Sequence, residues 1–106
     1  MARNVKDMCV SWYHHQCLDG FQADFQTMAG LFKDGLQVFQ PYFPHVFGAW
    51  RQKDNPNLYF VTYEQMKENL PRVITEVATF MGKTVTSHQM DIILKYVDIE
   101  SFRKNK

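Results

Sequence analysis

The sequence is short of cysteine: it has two, Cys9 and Cys17, and no Cys-x-x-Cys pair. Both fall in one stretch with a helical pattern, which separates them by about 12 Å along a helix axis. That is too far for a disulfide, and free thiols suit a reducing compartment. His14 and Cys17 share a helix face, but no second ligand pair at zinc-finger spacing accompanies them. The sequence therefore predicts no metal site.

A strong charge of one sign and a long apolar run are also missing. The formal net charge is +1, which creates no field that would attract nucleic acid or an anionic membrane surface. The sequence shows no signal or transit peptide and no apolar run of about 18 residues. We therefore expect a cytoplasmic protein that binds neither nucleic acid nor a membrane.

Aromatic residues, in contrast, are abundant: there are nine Phe, five Tyr and two Trp. The first helix is expected to begin after an N-cap at Asn4, with Asp7 three residues later. Its apolar stripe follows helical spacing: Val5, Met8, Cys9, Trp12 and Tyr13. Further helices are expected from Phe21 to about Lys33, around Val46, Phe47 and Trp50, from Met66 to Met81, and after an N-cap at Thr86 or Ser87. Glycines are expected to end three of these helices, at positions 20, 35 and 82.

Residues 58–62 form a continuous β-branched and aromatic run, Leu-Tyr-Phe-Val-Thr, that follows a turn-forming Asp-Asn-Pro-Asn sequence. Such a run predicts a strand buried on both faces, as in a parallel sheet. A single strand leaves its backbone groups unpaired, so the other strands are expected upstream. We therefore interpret residues 1–106 as one partial domain of the α/β class, mostly helical with one or two strands.

Two segments together resemble motifs of the cytosolic sulfotransferases. In that family, an Arg at a strand end is followed by Asn-Pro-Lys-Asp and, eight residues after the Arg, by a Ser before two aromatics and a His. Residues 3–14 read Arg-Asn-Val-Lys-Asp-Met-Cys-Val-Ser-Trp-Tyr-His, with Val5 in place of the Pro. The second family motif is a strand followed by Tyr-Glu-Asp-Met-Lys. Here residues 58–67 match it, with Gln65 in place of the Asp. A third match, Tyr42-Phe43-Pro44-His45-Val46, lies between them, in the family's order.

The resemblance implies a P-loop-like parallel-sheet fold and a cofactor, 3′-phosphoadenosine 5′-phosphosulfate, without a metal. It implies that Arg3 and Ser11 hold the 3′-phosphate and that Tyr63 borders the adenine. The physical logic agrees, because a guanidinium beside a capped helix N-terminus can grip a phosphate bidentately. By the same resemblance, His15 and Phe43 line the pocket of a small acceptor such as a phenol, alcohol, steroid or amine.

Three parts of the family's machinery do not occur in this sequence. One is the C-terminal Arg-Lys-Gly segment that completes the phosphate site, which the resemblance places past Lys106. The loop Tyr-Pro-Lys-Ser-Gly-Thr, which cradles the 5′-phosphosulfate, is absent. The catalytic His of the family lies between that loop and the Arg motif, so the resemblance implies no catalytic residue within residues 1–106. We expect a sulfotransferase by family whose chain is inactive alone. An alternative is a non-catalytic helical interaction module derived from the same scaffold. A nucleotide-kinase relative would need a Gly-rich loop with a Lys, and none is present.

Overall fold

A computed structural model describes residues 1–38 and 41–98, and these residues form six helices. They are α1 (Val5–Leu18), α2 (Phe25–Lys33), α3 (Tyr42–Arg51), α4 (Tyr63–Glu68), α5 (Leu70–Phe80) and α6 (Ser87–Val97). None of these helices is long and apolar enough to span a membrane. The chain divides into two compact units, Met1–Glu64 and Gln65–Lys106.

Helix α1 begins where the sequence predicts. The Asn4 side chain accepts a hydrogen bond from the backbone N–H of Lys6 at 2.9 Å, and Asp7 adds a negative charge in the first turn. The predicted apolar stripe is half-buried along its length, whereas Val10, which lies outside it, is 45% exposed. The helix ends before Gly20, whose φ of +93° suits glycine.

Helix α2 supplies the core of the first unit. It begins at Phe25, four residues later than predicted, because the side chain of Asp24 caps it by accepting from the backbone N–H of Thr27 at 2.8 Å. Met28 is fully buried, and Phe32, one turn further along, is 7% exposed. Helix α3, predicted around Val46, follows at Tyr42–Arg51.

The predicted strand at residues 58–62 is wrong, since no strand is present among the described residues. The segment 58–62 instead makes an isolated parallel bridge, between Thr62 and Ala2. The Ala2 N–H donates to the Val61 carbonyl at 2.8 Å, and the Tyr63 N–H donates to the Ala2 carbonyl at 2.7 Å. A ladder needs a neighbouring extended run, and among the described residues this segment is paired with Ala2, just before α1. The sheet of the predicted α/β class is therefore not confirmed here.

The single helix expected from Met66 to Met81 is in fact two: α4, which begins in the first unit, and α5 of the second unit. The Asn69 side chain caps α5 by accepting from the backbone N–H of Arg72 at 3.1 Å, and Pro71 lies in the first turn of α5. Helix α6 has its cap at Thr86, with a reciprocal capping box to Gln89. Val73 and Ala78 of α5 are the buried apolar residues described in this unit.

Candidate functional site

Arg3, in the turn before α1, has an unsatisfied donor. Its guanidinium carbon lies 4.4 Å from the centroid of the Tyr63 ring, which is a cation–π geometry. Its Nε atom is buried and has no hydrogen-bond partner among the described residues. A buried donor left without a partner costs about 1–3 kcal/mol. The contact with the Tyr63 ring thus positions the guanidinium, while its Nε donor has no partner among the described residues.

The backbone around Arg3 is fixed by side chains from two distant parts of the chain. The Tyr42 hydroxyl, at the start of α3, donates to the Arg3 carbonyl. The backbone N–H of Asn4 donates to Oε1 of Glu64 at 2.7 Å, across sixty positions of sequence. Together with the bridge at Ala2, these contacts fix the backbone of residues 2–4. The backbone at Arg3 therefore has a defined direction relative to α1.

The electrostatics of this cluster follow from the same contacts. The hydrogen bond from the Asn4 backbone holds the pKa of Glu64 below its ordinary value, and the positive charge of Arg3 acts in the same direction. Burial raises the pKa of Tyr42, and the Glu64 carboxylate adds to the rise. The Arg3 cation, the Glu64 carboxylate and the positive end of the α1 dipole thus lie together at the start of α1.

Ser11 lies in the second turn of α1, with its side chain exposed. It follows Asn4 by seven residues, which is almost two turns, so both lie on the same side of the helix about 10 Å apart along the axis. Asp7, one turn before Ser11, lies on this side as well. The pairing of Ser11 with Arg3 on one phosphate stays a prediction.

The two residues predicted to contact the acceptor have different surroundings. Phe43 is 52% exposed and lines a mainly apolar groove of about 320 Å³, with walls from α1, α2 and the start of α3. This volume falls at the lower end of small-molecule pockets. The described residues that line the groove do not include His15. Its imidazole lies instead on the exposed face of α1, 3.5 Å from the Asp19 carboxylate.

Thiols and possible metal ligands are dispersed. Cys9 and Cys17 are both free, and burial raises the pKa of the Cys9 thiol, which lines the groove. No cluster of three or more His, Cys, Asp or Glu side chains capable of holding a metal ion occurs in the part of the chain that the structure describes.

Tyr42 and Glu64 are the site residues that sequence reasoning missed. Glu64 follows Tyr63 directly and belongs to the second family motif, so its position in that motif could have indicated that it lies at the site. Tyr42 belongs to the third matched segment, but its contact with Arg3 spans 39 positions and is made by a hydroxyl to a backbone carbonyl. No sequence pattern predicts a contact of this kind.

Comparison with known proteins gives consistent matches. The sulfotransferase domain family model matches residues 1–106. Luciferin sulfotransferase from Photinus pyralis is 38% identical over 107 residues, covering 100% of this chain and 29% of that protein. Cytosolic sulfotransferase 1 from Danio rerio is 31% identical over 110 residues, covering 100% of this chain and 37% of that protein. The chain thus spans about a third of the length of these relatives.

The structure also matches a solved one. The crystal structure of retinol dehydratase in complex with androsterone and the inactive cofactor PAP superimposes with a TM-score of 0.92 at 34% identity. The match covers 98% of this chain and 31% of that chain. The chain therefore has the fold of a segment that makes up about a third of that protein.

Proposed function

Because the chain belongs to the sulfotransferase domain family, we propose that it carries the 3′-phosphate end of a sulfuryl-donor site. The parent reaction is transfer of a sulfuryl group from 3′-phosphoadenosine 5′-phosphosulfate to a hydroxyl or amine of a small acceptor. The observation that carries the proposal is the Arg3 side chain before α1: its guanidinium carbon lies over the Tyr63 ring, and its buried Nε has no partner among the described residues.

Each residue of the site has a defined task in this proposal. Arg3 donates to the 3′-phosphate with its guanidinium, whose fork matches two phosphate oxygens. Ser11 adds a neutral hydroxyl donor from the second turn of α1, and the α1 dipole favours the negative charge. Tyr63, already stacked against the guanidinium, borders the adenine. The solved relative, retinol dehydratase, contains PAP, the donor without its sulfuryl group, and this supports the choice of nucleotide.

The cofactor supplies the activated sulfuryl group, and this chain supplies binding and orientation. For the acceptor, Phe43 and His15 remain the proposed contacts, and the apolar groove beside Phe43 favours an apolar acceptor body. Two relatives are consistent with small acceptors: one is named for luciferin, and the other is a complex with androsterone. The zebrafish relative is named a cytosolic sulfotransferase, which supports a cytosolic location.

The test is a comparison of two nucleotides that differ only in the 3′-phosphate. The chain is titrated calorimetrically with adenosine 3′,5′-bisphosphate and with adenosine 5′-monophosphate. The preference is the dissociation constant of the monophosphate divided by that of the bisphosphate. We expect the bisphosphate to bind more tightly. Ser11→Ala should reduce that preference about two- to tenfold, the range of one hydrogen bond. The matched control is Ser87→Ala, an exposed serine in the first turn of α6, which should leave the preference unchanged.

Equal binding of the two nucleotides would contradict the proposal and would favour the non-catalytic interaction module. A second measurement addresses chemistry: the chain is incubated with radiolabelled donor and a phenolic acceptor. We expect no transfer, because the resemblance places the phosphosulfate loop and the general base outside residues 1–106. Measurable transfer would show that the chain contains a base that the family motifs do not account for.

A further inference from the structure

The residues around Arg3 are held more firmly than a simple helix start requires. An ordinary N-terminus leaves its first backbone N–H groups to a cap or to water. Here the Asn4 side chain caps α1, yet its own backbone N–H is also bonded, to Glu64. The Arg3 carbonyl accepts from Tyr42, and Ala2 is bridged on both its N–H and its carbonyl side. Three consecutive residues thus have backbone partners outside their own helix.

The first two residues of α4 hold Arg3 in two different ways. The Tyr63 ring lies under the guanidinium, and Glu64 bonds to the backbone N–H that follows the Arg3 carbonyl. The side chain and the main chain of Arg3 therefore depend on the same short element. If the Glu64 contact is lost, the backbone can rotate while the ring stays where it is. The guanidinium then no longer has a fixed position over the Tyr63 ring.

We propose that Glu64 and Tyr42 are positioning residues: they fix the backbone at residues 2–4 so that the Arg3 guanidinium is oriented to donate to the 3′-phosphate. This inference rests on the proposed function. It assigns to Glu64 a role that depends on reach and on an acceptor oxygen. Its negative charge is not part of that role, because a carboxylate beside a bound phosphate repels it.

Three substitutions of Glu64 separate its reach and its acceptor oxygen from its negative charge. Glu64→Gln keeps the length and the acceptor oxygen but removes the charge, so it should retain the preference for the bisphosphate or increase it. Glu64→Asp keeps the charge but is one methylene shorter, and Glu64→Ala removes the acceptor altogether. Both should lower the preference, which is the dissociation constant of the monophosphate divided by that of the bisphosphate, about two- to tenfold, the range for one lost hydrogen bond. Tyr42→Phe removes the hydroxyl donor and should also lower the preference for the bisphosphate.

The matched control is Glu68→Ala, an exposed carboxylate at the last residue of the same helix, which should leave the ratio unchanged. All variants are titrated with adenosine 3′,5′-bisphosphate and adenosine 5′-monophosphate, and their far-ultraviolet circular dichroism is compared with that of the wild type. Because the ratio cancels any loss common to both nucleotides, partial unfolding of the whole chain does not move it. If Glu64→Ala fails to fold, the opposite behaviour of Glu64→Asp and Glu64→Gln decides the matter.

Three results would overturn the inference. In the first, folded Glu64→Ala keeps the wild-type ratio. In the second, Glu64→Asp behaves as the wild type while Glu64→Gln loses the preference, which would show that charge matters instead of reach. In the third, the wild type itself shows no preference for the 3′-phosphate. Only this third result also removes the proposed function, so the two failures are distinguishable.

Discussion

Replacing Arg3 with methionine should weaken nucleotide binding without destabilising the free chain. Methionine has a similar length and can cover the Tyr63 ring, but it carries neither a donor nor a charge. In the free chain, the buried Nε of Arg3 is an unsatisfied donor, so its removal takes away an unfavourable term. In the complex, the same removal leaves the 3′-phosphate without its guanidinium. Stability and binding should therefore change in opposite directions.

The magnitudes decide the sign of the stability change. An unsatisfied buried donor costs about 1–3 kcal/mol. Arg3→Met also loses the cation–π contact with Tyr63, worth about 0.5–1 kcal/mol at a partly exposed site. The attraction to the exposed Glu64 carboxylate is screened by solvent and adds little. The net effect lies between no change and a gain of about 2.5 kcal/mol, so the melting temperature should stay the same or rise, by about 4–8 °C for each kcal/mol gained.

The assay is thermal melting followed by circular dichroism, with calorimetric titration of the bisphosphate on the same preparations. Arg51→Met is the matched control, since it removes the same charge from an exposed position at the C-terminal end of α3. We expect Arg3→Met to melt no lower than the wild type and to lose the preference for the 3′-phosphate, while Arg51→Met keeps the preference. A fall of several degrees in Arg3→Met alone would refute the reasoning, because Arg3 would then be a stabilising residue.

Three further predictions concern the fold and its charges. Met28→Ala removes the fully buried side chain of α2 and should cost about 2–5 kcal/mol, whereas Met81→Ala, at 62% exposure, should change the free energy of unfolding by less than about 0.5 kcal/mol in urea titrations. Because the pKa of Glu64 is lowered from 4.5, its stabilising contribution is present above that pH and is lost as the pH falls through the lower folded value. Glu64→Gln should therefore lose less melting temperature than the wild type between pH 7 and pH 3. Gly30→Ala, inside α2 with open space at the Cβ position, should stabilise by up to about 1 kcal/mol, whereas Gly35→Ala should destabilise, since φ is +69° and the new Cβ would lie 3.3 Å from Pro41. Equal melting temperatures for the two alanine variants would contradict this assignment.

The local signals in the sequence predicted the helices well. Asn4 and Thr86 cap the helices assigned to them, and Gly20, Gly35 and Gly82 all have positive φ where helices end. These features depend on a few neighbouring residues, so periodicity and capping chemistry suffice to find them. The predicted start of α2 was early because Asp24, a competing cap, was overlooked.

The strand at residues 58–62 shows where local reasoning fails. β-Branched and aromatic residues indicate a segment that fits a pleated surface, but a strand exists only when another extended segment pairs with it. Among the described residues, that partner is limited to the neighbourhood of Ala2. The site shows the same limit: Arg3 and Tyr63 were named from motifs, and the Tyr42 contact could not be, because it depends on tertiary placement.

The contact between Asn4 and Glu64 closes a loop of sixty positions, and this has a consequence for when the site comes into being. The length-dependent entropy of closing such a loop is roughly 3.6 kcal/mol, so the contact forms only after the intervening helices have brought the ends together. At ribosomal rates of about 5–20 residues per second, roughly 3–12 s separate the synthesis of its two partners. During that interval α1 can fold, but Arg3 has neither its aromatic support nor its backbone anchor. A nucleotide that needs this arrangement therefore binds only chains whose first unit is complete, and by mass action it shifts the population toward them.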